Sequence, residues 1–155
     1  MKKTALLVID IQVGTLNLLV KKNKLVSQVN QVIQDFHKHN LPVIFIKQKG
    51  RGNIAAKITR NKTDYLAVKS QPNAFTSAEF TTILNQLQLD SLVVVGLMSH
   101  ACIQATCTGA LKQNYQVTLI SDAHSSMLSS TSRKWNTKLA ARGVKLITTK
   151  DYLTL

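Results

Sequence analysis

The chain has 155 residues, of which 45% are hydrophobic and 17% charged, so it can bury one ordinary core and is not a disordered chain. Its 20 Lys and Arg against 7 Asp and Glu leave a net charge of +13, which attracts anions. The basic residues run along the whole length without aromatic interleaving, so nucleic acid is not an expected ligand.

Taken in order, the elements alternate between strand and helix. Ala5 to Ile9 is a continuous apolar run, the pattern of a strand buried on both faces. The run breaks at Asp10 with no cleavage pattern after it, so the basic start is not read as a signal peptide, and a cytoplasmic protein is expected. Leu25, Val26, Val29, Val32, Ile33 and Phe36 have helical spacing within about Lys24 to His39, and Asn40 and Pro42 stop that helix. Val43 to Ile46 is the second strand. Residues 49–64 are polar and basic, and are read as a long loop with a turn of helix. Tyr65 to Val68 is a weak third strand. Ser77 opens a helix reaching about Gln88, and Leu92 to Val95, ended by Gly96, is the strongest strand. A helix over about His100 to Gln113, a strand over Val117 to Ile120, a helix over about Ser130 to Arg142 and a strand over Val144 to Ile147 complete the chain. No window reaches 18 apolar residues, so no transmembrane helix is expected.

Six strands with helices between them imply a three-layer α/β/α, Rossmann-like domain over residues 1–155. Its sheet is expected to be mostly parallel, in the order 3-2-1-4-5-6. In that order the first and fourth strands meet at the switch point, where ligands bind beyond the carboxyl ends. The residues there are Asp10-Ile11-Gln12 and Leu97 to Cys102. A carboxylate thus faces a thiol near the start of a helix, where the dipole favours thiolate. Cys107 lies five residues further, about 140° around a helix axis, and is expected to be a buried structural thiol. Two such cysteines without a CxxC or Cys/His cluster suggest neither a disulfide framework nor zinc.

Four segments in order resemble the isochorismatase-like cysteine hydrolase superfamily, which includes nicotinamidases and related amidases. They are Val8-Ile9-Asp10-Ile11-Gln12; Lys69 with Asn73-Ala74-Phe75; Gly96 to Ile103 with Thr106 and Ala110; and Ser121-Asp122-Ala123-His124-Ser125-Ser126. The resemblance implies an isochorismatase-like hydrolase fold and a catalytic Asp10, Lys69 and Cys102. Asp10 would act as general base and then acid, Lys69 would stabilise the anionic site, and Cys102 would attack an amide carbonyl to give a thioester. It also implies a cis peptide at Leu97–Met98, with the backbone N–H groups of Met98 and Cys102 forming an oxyanion hole. Gln12, Phe75, Ser99 and His100 are the expected substrate-binding residues. A small-molecule substrate and a homo-oligomer, dimer or larger, are implied, with no membrane partner.

Departures from the family pattern shape the rest. Where nicotinamidases carry metal ligands after the second strand, this chain has Lys47-Gln48-Lys49-Gly50, so neither a metal nor another cofactor is expected. Lys69 sits two strands from Asp10, a gap of about 9–10 Å that its side chain must cross. Alternative readings are an isochorismatase-type hydrolase of a small anionic substrate and a catalytically silent binding protein of the same fold. Two further rivals are a Cys102–His124–Asp122 set and a dinucleotide loop at Gly50-Arg51-Gly52-Asn53-Ile54-Ala55.

Overall fold

The computed structural model describes residues 2–155. Its six strands are β1 (Thr4–Ile9), β2 (Val43–Gln48), β3 (Tyr65–Lys69), β4 (Ser91–Leu97), β5 (Gln116–Ser125) and β6 (Lys145–Ile147). They form one sheet in the order β3-β2-β1-β4-β5-β6, and every pairing is parallel. The expected fold class and strand order are those observed. The helices are α1 (Val13–Leu16), α2 (Lys22–Lys38), α3 (Ala78–Leu87), α4 (Gln104–Lys112), α5 (Ser129–Ala141) and α6 (Thr149–Leu153).

The alternation of β1 explains the layering. Leu6 and Val8 face a core built with Val29, Val32, Ile33 and Phe36 of α2, against which Tyr152 of α6 packs. Ala5, Leu7 and Ile9 face the opposite core, with Phe80 and Leu84 of α3, Cys107 and Ala110 of α4 and Leu139 of α5. Both faces of β1 are therefore dry, as its uninterrupted apolar run requires. No helix among the described residues is long and apolar enough to cross a membrane.

Three differences from the sequence expectation bear on function. Residues 49–64 contain no helix; the loop instead lies against the start of α1 through an isolated bridge between Gln12 and Ile54. The segment expected to be helical from His100 begins as a π-helical turn, Ser99–Ile103, before α4. Strand β5 runs five residues past Ile120 after a register shift against β4, which places His124 beside Gly96 and Ser125 beside Leu97. The Leu97–Met98 peptide bond is cis.

Gly96 marks where β4 presses on β1. Its φ is +129°, and a Cβ there would sit 2.1 Å from the Ile9 carbonyl oxygen. Gly96→Ala must shift backbone in the central strand pair. A loss of about 3 kcal/mol or more is expected in urea unfolding.

Candidate active site

Strands β1, β2, β3 and β4 end together, and a cavity of about 340 Å³ opens above them. Asp10 follows β1 with φ +54°, in the left-handed region that few non-glycine residues occupy. Its backbone is tied down on both sides. The Asp10 N–H donates to the Ile46 carbonyl at 2.9 Å, and its own carbonyl accepts from the Thr15 hydroxyl. The fixed turn leaves the Asp10 side chain buried but lining the cavity.

Lys69 is the last residue of β3, in register with Gln48 of β2. Its side chain crosses the end of β2 and is fully buried. The ammonium makes three contacts: Asp10 Oδ2 at 3.0 Å, Gln48 Oε1 at 2.6 Å and Cys102 Sγ at 3.2 Å. The two-strand gap is closed by the long stem, and all three ammonium donors have a partner. Asp10 Oδ1 is buried with no hydrogen-bond partner among the described residues.

Cys102 sits in the π-helical turn, where the Ile103 N–H donates to the Met98 carbonyl at 3.1 Å. The turn sets the thiol at the cavity floor rather than inside α4. Burial, and then the Asp10 carboxylate beside it, push the Cys102 thiol up to about 11, against the opposing pull of Lys69. The sequence suggested a thiolate favoured by a helix start and by Lys69. Burial and a neighbouring negative charge here oppose the helix start and the cation, and favour the neutral thiol. Burial likewise raises Asp10 from its ordinary carboxylate range, while Lys69, then hydrogen bonding from Cys102, and least Arg51 pull it back down. A carboxylate raised in this way is a better proton acceptor for a thiol.

The other expected site residues divide. Met98 and His100 line the cavity. His100 Nδ1 also lies 3.1 Å from the Ser126 hydroxyl. Gln12 is outside the lining and braces the loop, donating to the Gln48 and Gly52 carbonyls and accepting from the Gln48 N–H. Phe75 packs edge-on against Phe80, 5.1 Å between ring centroids, and beside Tyr115. Ser99 is buried against His124 Nδ1 at 2.7 Å, while His124 Nε2 lies 2.6 Å from Asn136 Oδ1.

That last pairing separates the rival sets. A carboxamide oxygen only accepts, so Nε2 is the protonated nitrogen and Nδ1 accepts from Ser99. Both ring nitrogens of His124 are thus engaged away from Cys102. Asp122 accepts instead from Thr149 and Gln28. The glycine-containing loop opens no helix, so it lacks the helix start that a dinucleotide phosphate needs. Cavity residues not foreseen from the sequence are Gln48, Arg51, Thr15, Leu18, Pro72 and Met127. Gln48 ends β2 just past its apolar run, and Arg51 lies in the stretch that periodicity reads only as loop, where nothing local announces that it folds back over the switch point.

Fold and cavity define an α/β protein of the doubly wound type with a cavity at the switch point of its sheet. A family model for the isochorismatase domain matches residues 4–151; the chain belongs to the isochorismatase family, whose members are hydrolases. It is 29% identical over 137 residues to the isochorismatase family protein YddQ of Bacillus subtilis, covering 77% of this chain and 76% of that one. Its fold is similar to that of an isochorismatase family protein from Desulfovibrio vulgaris, with a TM-score of 0.87, 17% identity and full coverage of both chains. It is also similar to the pyrazinamidase of Pyrococcus horikoshii in complex with zinc, with a TM-score of 0.83 and 16% identity over 94% of this chain and 99% of that one.

A zinc ion does not fit the donors present here. Asp10 is the one carboxylate of the lining and is bound to Lys69, and the end of β2 offers lysines and an amide. No group of three or more His, Cys, Asp or Glu is gathered among the described residues. His37 and His39 pair with Asp64 and Asp35 instead.

Proposed function

We propose that this protein is a single-domain cysteine hydrolase that cleaves a small amide-like C–N bond through a thioester on Cys102. The observation that carries the reading is the buried Lys69 ammonium, in contact with both the Asp10 carboxylate and the Cys102 sulfur, which themselves line the cavity. A buried lysine placed there for packing alone would not need a thiol and a carboxylate at its tip, both open to one cavity. The fold is also that of a pyrazinamidase, a protein named for an amide substrate.

The chemistry follows from the positions. Asp10 takes the thiol proton as Cys102 sulfur adds to the substrate carbonyl, and Lys69 offsets the negative charge that remains. The oxyanion is received by the backbone N–H groups of Met98 and Cys102. Protonated Asp10 then gives its proton to the leaving nitrogen, the C–N bond breaks, and a thioester and a free amine result. Water, activated by Asp10, adds to the thioester, releasing a carboxylic acid and restoring the thiol. The raised thiol suits this order, since the nucleophile is generated as substrate arrives rather than stored as thiolate.

The test is ammonia or amine release from a panel of small primary amides and ureides. Turnover lost in Cys102→Ala, with the fold retained by circular dichroism, is the expected result. Turnover that survives Cys102→Ala, or no turnover of any amide, overturns the reading.

A further inference from the structure

We propose that the substrate carries a carboxylate, received by a two-donor subsite made of Gln48 and Arg51. This rests on the cysteine hydrolase reading of the same cavity.

The orientation of Gln48 is fixed by chemistry. An ammonium only donates, so the Gln48 atom 2.6 Å from Lys69 Nζ is the oxygen. The carboxamide nitrogen is the other terminus, and no described residue accepts from it. Gln48 also lines the cavity. Its backbone is clamped, with the N–H donating to Gln12 Oε1 at 2.8 Å and the carbonyl accepting from Gln12 Nε2 at 3.0 Å. An unused N–H pair is thus held beside the reacting groups.

Arg51 stands three residues further along, on a loop that is laid on α1. Its carbonyl accepts from the Gly14 N–H at 2.8 Å, and the Asn53 carbonyl accepts from Val13 at 2.9 Å. The fit is close enough that a Cβ on Gly14 would come within 2.7 Å of the Arg51 carbonyl oxygen. The Arg51 side chain lines the cavity and is exposed. The cavity's single carboxylate, Asp10, is bound to Lys69, so the guanidinium faces no acid of its own. Its charge nevertheless reaches Asp10 and favours the ionised form.

The remaining wall is mostly apolar, with Leu18, Pro72, Met98, Ala101 and Met127; its polar members are Thr15, whose hydroxyl donates to the Asp10 carbonyl, and His100, whose Nδ1 lies against the Ser126 hydroxyl. Gln48 and Arg51 thus add two donor groups on the β2 side, and Arg51 is the one positively charged side chain of the lining that always carries its charge. A planar guanidinium and a carboxamide N–H lining one cavity offer donors to the two coplanar oxygens of a carboxylate. The net charge of +13 raises the local concentration of such an anion.

The test needs no turnover. Iodoacetamide alkylation of Cys102 in the full chain, localised by mass spectrometry, is measured against rising succinamate, succinate, neutral succinamide and inorganic phosphate. The expected result is protection by succinamate at concentrations about tenfold or more below succinamide, the size of a lost charge-assisted hydrogen bond. Arg51→Ala should remove that advantage, and Arg51→Lys should restore part of it. Equal protection by succinamate and succinamide, an Arg51→Ala variant that protects like the parent, phosphate outcompeting both carboxylates, or no protection at all would each overturn the proposal. Carboxylate protection without any hydrolysis would leave the subsite standing and sink the hydrolase reading; hydrolysis indifferent to substrate charge would do the reverse.

Discussion

Asp10→Asn is expected to abolish hydrolysis while making Cys102 more reactive toward iodoacetamide. The two effects have opposite signs because Asp10 does two things. As the proton acceptor it is worth about 10²- to 10⁴-fold in rate, and an asparagine cannot take the thiol proton. As a negative charge beside the sulfur it helps hold the thiol near 11, second only to burial. Removing that charge leaves Lys69 unopposed, so the thiol falls. Each unit of fall gives about tenfold more thiolate at pH 8, read directly in the alkylation rate. An aspartate that is not the proton acceptor would show the gain in alkylation without the lost turnover. An Asp10→Asn variant that alkylates no faster than the parent contradicts the arrangement described above.

Lys69→Met is expected to cost about 3–5 kcal/mol at neutral pH, the usual consequence of stripping one partner from a buried ion pair. Lys69 and Asp10 are 0% and 2% exposed, so water does not replace the lost contact. The pH dependence has a definite sign. Burial raises Asp10, and Lys69 is the largest effect opposing it; without Lys69 the carboxyl rises further. A group whose folded pKa is raised adds stability below its unfolded pKa, and that stability is lost as pH rises through the folded value. The deficit of Lys69→Met relative to the parent should therefore shrink on acidification as Asp10 protonates in the folded state. Urea unfolding at several pH values reads this. The double variant Asp10→Asn with Lys69→Met should recover much of the loss, since no lone buried charge remains.

The strands were legible because each is a short apolar run bounded by turn residues, and β1 shows its burial on both faces without any tertiary information. The order of the sheet followed from the β-α-β repetition, and it placed Asp10 and Cys102 across one crevice before any geometry was known. The short helices α1 and α6, four and five residues long, carry too little periodicity to be seen. The extension of β5 was hidden because Ser121 to Ser125 lacks an apolar run; its pairing with β4 resumes only after a register shift.

The site was legible unevenly for the same kind of reason. Asp10 and Cys102 stand just beyond neighbouring strands, where topology brings them near, whereas Lys69, two strands away, was suggested only by the family resemblance and reaches them by its long side chain. Gln12, Ser99 and Phe75 stand close by in sequence, yet their side chains point into bracing or packing roles, which depends on turn geometry that spacing does not encode. Gln48 reaches the cavity as the last residue of β2, just beyond the apolar run, and Arg51 because the loop after β2 folds back onto α1, a long-range contact between segments with no shared pattern. A nearby cation and a helix start beside Cys102 are visible in sequence, whereas the burial that opposes them is not.

The most direct measurement is the intact mass of the protein, acid-quenched during turnover of any amide it accepts. The expected result is a fraction carrying the acyl half of the substrate, without its amine, localised by fragmentation to Cys102 and absent in Cys102→Ala. Turnover that proceeds with no adduct at any quench time, and that persists in Cys102→Ala, would show that the sulfur in contact with Lys69 is not the nucleophile.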